Sequence, residues 1–336
     1  MKIRRIALAT LLVVLSALAA ACGEAGSAEG EGVVLRYAYL AGDTLSYDVE
    51  LAANMTMESS GDGALAGAMN TTMAMDVTER LNLAFAEGPD PTTIEITMTQ
   101  ELVDGGARMT VLGEEQFIPF GDLAANMENE VVVVVDPQGK LVSASIGGVA
   151  LPAQLLSDLS GMAGSTMMQP QQLGPEFPEE GLSVGEEWDT TASASVLGLQ
   201  VTQQSHHRVA GQEEVAGRTT YRIESEIATG TISADLASMM AALSESPGLL
   251  GDDVETAEVE ASFAQLEASG IGFEFEILGS TTLMTTWFDP VAGIVVQSEL
   301  ESPVTMTMTM TGIPEVGDID VYMAMTSSQH MILAAG

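Results

Sequence analysis

Along much of the chain, apolar and polar residues change places at every step. Leu45, Tyr47, Val49 and Leu51 alternate with Ser46, Asp48 and Glu50, and Ile94, Ile96 and Met98 alternate with Glu95, Thr97 and Thr99. Tyr221, Ile223 and Ile227 oppose Arg222, Glu224 and Glu226. Ile271, Phe273, Phe275 and Ile277 oppose Gly272, Glu274 and Glu276, and Val304, Met306, Met308 and Met310 are spaced by threonines. Successive side chains on a strand point to opposite faces, so each run predicts an antiparallel strand with one apolar and one wet face. Shorter runs at 73–77, 81–85, 197–201 and 321–325 repeat the pattern. This many one-sided strands predict a mainly β fold of curled antiparallel sheets, half-barrel-like, with the apolar side turned inward.

Two stretches change to helical spacing. Leu151, Leu155, Leu156, Leu159 and Met162 fall on one helix face, as do Leu236, Met239, Met240 and Leu243, with Ser233 or Asp235 as a cap. Both predict short helices covering the open side of a sheet. Gln169–Gly185, rich in Pro, Gln, Gly and Glu, reads as a linker. Two sets of similar landmarks divide the rest. Gly42-Asp43 and Gly185-Glu186 each open a strand. Asp136-Pro137-Gln138-Gly139 and Asp289-Pro290-Val291-Ala292-Gly293 each join two apolar runs with hairpin chemistry. The expected organisation is two related β halves, 33–168 with a C-terminal helix and 186–336 with an inserted helix, joined by the linker at 169–185.

The first 32 residues are of another kind. Lys2, Arg4 and Arg5 precede 16 uncharged residues, Ile6–Ala21, which is short for a membrane span of about 20. The run closes on small residues before Cys22, the chain's single cysteine. Residues 1–21 read as a secretory signal peptide. Leu18-Ala19-Ala20-Ala21-Cys22 resembles the bacterial lipobox, with Ala19 standing where Leu is usual. The resemblance implies acylation of the Cys22 thiol, an anchor in the cell membrane or outer membrane, and a folded part on the extracytoplasmic face. Several acyl chains hold a protein on a bilayer where one would not. Residues 22–32, small and acidic, read as a flexible tether.

The Gly-Asp strand openings, the Asp-Pro hairpins and the Gly-Glu-x-Trp block at 185–188 also make the chain similar to an uncharacterised family of bacterial surface lipoproteins, for which no catalytic motif is defined. In architecture it resembles lipoprotein carriers of the LolA and LppX type. That likeness implies an unclosed barrel that holds acyl chains.

Charge excludes one class of partner. The sequence has 10 basic and 48 acidic residues, and three of the basic ones lie before Cys22, so the remainder carries 7 − 48 = −41. Such a surface repels nucleic acid and anionic headgroups. Acid excess with one lysine after residue 21, Lys140, is also the pattern of proteins adapted to high salt.

Chemistry-bearing constellations are scarce. Adjacent strand residues His206 and His207 face opposite ways and cannot share an ion, and His330 lies near the C-terminus. No Gly-x-Ser-x-Gly elbow and no Cys/His metal spacing occurs. Carboxylate pairs carry no information where acids are so abundant, and few aromatics are available to stack sugars. Gly251-Asp252-Asp253 and Gly317-Asp318-Ile319-Asp320 are the best calcium clusters, but neither continues as a calcium loop. The expectation is therefore a non-enzymatic protein without metal or cofactor.

Methionine is the remaining signal, at 21 residues. Met55 with Met57, Met73 with Met75, Met323 with Met325, and Met306, Met308 and Met310 are all spaced by two, so each group shares a strand face. Three readings fit: thioether ligands for Cu(I), a flexible lining for an apolar ligand, or core filling. The second makes Met55, Met57, Met73, Met75, Met306, Met308 and Met310, with Leu236, Met239 and Met240 from the expected lid, the lining of a site for a lipid or other apolar molecule. The alternatives are a structural or interaction lipoprotein of the envelope, a calcium-binding protein, or a hydrolase.

Overall fold

The period-two segments form strands throughout the computed structural model. It describes residues 33–61, 70–111, 114–120, 130–146, 148–150, 174–196, 199–235, 238, 270, 272–313 and 317–334. The strands are β1 (Thr44–Gly61), β2 (Thr71–Glu87), β3 (Ile94–Val111), β4 (Glu114–Pro119), β5 (Val131–Val135), β6 (Leu141–Ile146), β7 (Val149–Ala150) and β8 (Glu187–Val196). They continue as β9 (Leu199–Val215), β10 (Arg218–Thr229), β11 (Ile232–Asp235), β12 (Gly272–Leu278), β13 (Ser280–Asp289), β14 (Ile294–Ile313) and β15 (Gly317–Leu333).

All of them belong to one antiparallel sheet, in the order β7-β6-β5-β3-β2-β1-β15-β14-β13-β10-β9-β8, with β4 on β3 and β11-β12 on β14. The sheet does not close, since β7 and β8 end the path. The sequence runs at 73–77 and 81–85 are one strand, β2, and of the run at 197–201 the residues Leu199–Val201 open β9 while 197–198 lie outside the described residues. The covering helices expected around Leu151–Met162 and Leu236–Leu243 are not among the described elements, all of which are strands. Both stretches lie outside the described residues, apart from Ser238. At that residue Asp235 Oδ1 accepts from the Ser238 N–H at 2.7 Å.

The two halves repeat one strand order. Read in one direction along the sheet, β8-β9-β10-β13-β14-β15 is followed by β1-β2-β3-β5-β6-β7, and the two series meet where β15 pairs with β1. Their openings match bond for bond. Gly42 N–H donates to Phe85 O and Phe85 N–H to Asp43 O, while Gly185 N–H donates to Val209 O and Val209 N–H to Glu186 O. The halves are not separate sheets, because 15 residue pairs along β1 and β15 join them.

What curls the sheet is the chain before β1. Tyr37 N–H donates to Pro137 O in the β5–β6 turn, and the next residue, Ala38, donates to Gly293 O in the β13–β14 turn. Those turns lie six strand spacings apart along the sheet, about 29 Å if it were flat. Consecutive residues, about 3.8 Å apart, touch both, so the sheet must wrap around residues 33–40. The turns are glycine-dependent: a Cβ on Gly139 (φ +87°) would stand 2.4 Å from the Tyr37 ring, and one on Gly293 (φ +66°) 2.3 Å from the Ala38 Cβ.

The stretch expected as a linker is, from residue 174 on, packed rather than free. Phe177 and Leu182 are buried, and Leu182 pairs with Val33 through two backbone hydrogen bonds. The rings of Tyr37, Phe177 and Phe288 meet at 4.8–5.4 Å. Tyr39 stacks on Phe85 at 4.4 Å. Tyr47 OH donates to Val295 O at 2.8 Å and Tyr37 OH to Pro175 O at 3.0 Å, so both buried phenols are satisfied. Burial holds both hydroxyls well above their ordinary pKa. Around the rings pack Val49, Leu83, Ile96, Val133, Val209, Ile223 and Val295. One end of the wrapped face is thus a filled core of aromatic and mostly β-branched residues.

Candidate functional site

Strand register carries the apolar face away from this core, towards the far ends of β1, β2, β14 and β15. On β1 the inner face continues from Tyr47 and Val49 through Leu51 and Ala53 to Met55 and Met57. Its other face bears Asp48, Glu50, Asn54, Thr56 and Glu58. Met55 lies opposite Met73 on β2 and Met325 on β15, and Met73 opposite Met109 on β3. This makes one row of four methionines across four adjacent strands. In the next row Met57 faces Met323, which faces Met306 on β14. Met308 and Met310 continue down β14, between Val321 and Ile319 on one side and Phe275 and Phe273 on the other.

Of the methionines singled out in the sequence, Met55, Met57, Met73, Met75, Met306, Met308 and Met310 therefore lie on one continuous face, joined by Met109, Met323 and Met325. All ten are half-buried. They are not the filled core, which lies at the other end. Cys22, Leu236, Met239 and Met240 lie outside the described residues. Met109 escapes period-two reading for a local reason. A bulge in β3 opposite Thr78 and Glu79 leaves the exposed Val103 unpaired and shifts the phase, so Leu102 and Met109 share a face at unlike parity.

Between core and band the inner face is partly polar. Glu79 points inward on β2, where burial raises its carboxyl pKa, and Gln100 Nε2 donates to its Oε1 at 3.3 Å. In the second half His207 is 3% exposed, a buried residue rather than a surface or strand-end one. Its Nδ1 lies 2.8 Å from Ser225 Oγ and its Nε2 3.0 Å from Thr190 Oγ1, with Trp188 stacked at 4.9 Å. Desolvation, and secondarily the charge of His206, lowers its pKa to about 4. Among the described residues no carboxylate is hydrogen-bonded to the ring, and with Ser225 and Thr190 as its partners the group is a buried, neutral histidine with both nitrogens satisfied.

His206 faces the other way. Its Nδ1 meets Asp189 Oδ1 at 2.7 Å, a hydrogen bond that raises its pKa. His330 is held inside β15, between Glu50 and Glu299 on the neighbouring strands. These three line a groove of about 620 Å3 on the polar face with Asp76, Glu301 and Leu283. Among the described residues no three His, Cys, Asp or Glu side chains are grouped to hold a metal ion. In the calcium cluster at 317–320, Asp318 Oδ1 accepts from Gly312 N–H and Asp320 Oδ1 from Thr309 Oγ1. Asp252 and Asp253 lie outside the described residues.

No protein-family model matches the chain, and no curated protein is similar to it. Among solved structures it is similar to an outer membrane channel of Pseudomonas putida F1 at 7% identity, over 93% of this chain and 100% of that one, with a TM-score of 0.21. It is similar to the outer membrane protein OprG of Pseudomonas aeruginosa at 6% identity, over 88% and 99% of the chains, with a TM-score of 0.16. A mutant of the Rh. blastica porin overlaps at 7% identity, over 86% and 100%, with a TM-score of 0.18. Overlaps this loose carry no argument about fold or function.

Proposed function

We propose that the chain is an extracytoplasmic lipoprotein, held on a membrane through acylated Cys22, whose methionine-lined face takes up an apolar ligand such as a lipid without performing chemistry on it. The observation that carries the reading is the division of labour along one face. Where the face is filled, the chain uses mainly tyrosine, phenylalanine, valine and isoleucine, with Met98 and Met331 as the methionines of that core, and where it is only half covered methionine predominates. Strands favour β-branched residues, so methionine needs another reason there, and its adaptable side chain suits an apolar guest of irregular shape. A bilayer-spanning barrel is a poor fit. Such barrels turn their apolar residues outward to lipid, whereas here the apolar face wraps the buried Tyr37 and Phe177 and the other face carries Asp48, Glu50, Arg80, Glu299 and Glu301.

The anchor and the ligand are tested separately. Intact mass of the membrane-extracted protein should show a chain starting at Cys22 with diacylglycerol and acyl groups added, and Cys22→Ala should partition into the aqueous phase. Organic extracts of the exported Cys22→Ala protein should contain a bound lipid. An extract without lipid, together with failure to bind a fluorescent fatty acid, would sink the ligand half of the proposal and leave the anchor standing.

A further inference from the structure

We propose that the same band holds a soft monovalent cation, Cu(I) or its analogue Ag(I), between Met55, Met57, Met323 and Met325. These residues occupy a two-by-two block. Met55 lies opposite Met325 and Met57 opposite Met323 on the paired strands β1 and β15, and all four are on the inner face. Facing residues on paired antiparallel strands have Cβ atoms about 5 Å apart, and positions two apart along a strand lie roughly 7 Å apart. The four Cβ atoms therefore mark a rectangle whose centre is about 4 Å from each corner, within the span of a methionine side chain with its three rotatable bonds. Met73, opposite Met55, and Met306, opposite Met323, flank the block and offer further sulfur.

The donor set decides the ion. Thioether sulfur is soft and uncharged, so it selects Cu(I) over the hard cations that oxygen ligands prefer. The acidic groups stand elsewhere: on β1 and β15 the residues of opposite parity, Glu58 and Asp320 among them, point to the other face. All four methionines are half-buried, which leaves a path for an ion and removes part of the water that would compete for it. Flexibility suits methionine to an apolar guest, and its sulfur adds a soft donor that no other apolar side chain of this band carries.

The test separates the two properties of the band. Full-length protein in detergent is titrated with Cu(I) held by bicinchoninate under reducing conditions, and with silver nitrate in chloride-free buffer. The wild type is expected to withdraw one Cu(I) per chain, and X-ray absorption of that complex to show a shell of sulfur alone. The quadruple variant Met55→Leu, Met57→Leu, Met323→Leu, Met325→Leu keeps the apolar lining. It should keep its circular dichroism while holding Cu(I) at least ten-fold more weakly. The proposal is overturned if the wild type leaves Cu(I) with the chelator, if the shell contains nitrogen or oxygen in place of sulfur, or if the leucine variant binds Cu(I) as tightly as the wild type. Loss of fatty-acid binding in a wild type that still takes Cu(I) would count against the apolar-ligand reading alone.

Discussion

Gly293 and Ala38 are in backbone contact: the Ala38 N–H donates to Gly293 O at 3.1 Å, and a Cβ on Gly293 would stand 2.3 Å from that of Ala38 and 2.4 Å from its nitrogen. The contact ties the β13–β14 turn of the second half to the segment that precedes the first, and Tyr37 makes the matching tie to the β5–β6 turn. The curl of the sheet depends on the two together.

Gly293→Ala should therefore destabilise the fold strongly. The added methyl meets backbone at a positive φ, so strain and displacement combine to cost about 2–4 kcal/mol. Gly211→Ala, where a Cβ meets nothing within 4 Å, should be neutral to within about 1 kcal/mol. Urea denaturation of the two variants measures the difference, and equal midpoints would show that the tie does not hold the curl.

His207 should make stability fall with acid. Its folded pKa, about 4, lies below the ordinary 6.5 because burial opposes its charge. Below pH 6.5 the unfolded chain accepts a proton that the folded chain refuses until about pH 4. The contribution is thus complete above pH 6.5 and is lost as the pH falls from 6.5 to 4, to an extent on the order of 3 kcal/mol. Subtracting the pH profile of His207→Gln from that of the wild type isolates the effect. A flat difference over this window would mean that the ring is not buried as described.

Charge on the methionine band should block an apolar guest. Met325→Glu places a carboxylate among Met55, Met323 and Val304 and should weaken binding of a fluorescent fatty acid by about ten-fold or more, since an unpaired charge resists desolvation. Thr326→Glu, one residue on and exposed on the other face, should leave binding unchanged. Equal losses would place the guest elsewhere.

Salt should stabilise the protein. With a charge of −41 after residue 21, self-repulsion is screened as the Debye length shortens from about 10 Å at 0.1 M to about 3 Å at 1 M. The urea midpoint should rise across that range of sodium chloride, and a constant midpoint would remove the case for adaptation to a saline medium.

The alternation of Leu45–Leu51 or Val304–Met310 determined strand, face and antiparallel class by itself, because a period of two admits no other regular structure. The same parity placed Met55 with Met57 and Met306 with Met308 and Met310, and the Asp-Pro-Gly turns were readable because proline fixes φ and glycine supplies the positive φ that closes the turn. Pairing was not legible. That Met55 meets Met325, 270 residues away, depends on the β1·β15 join, and no local property of either strand names its partner. Nor was the role of 174–185 legible: its Pro, Gly and Glu content describes a linker, yet Phe177 and Leu182 are drawn into the core by rings that come from Tyr37 and Phe288. Met109 and His207 mark the limit in another way. A single bulge reverses parity for one, and the surrounding strands bury the other. Local patterning set what each segment is, and long-range contact decided what it stands beside, because burial and register belong to the assembled sheet and not to any stretch of chain.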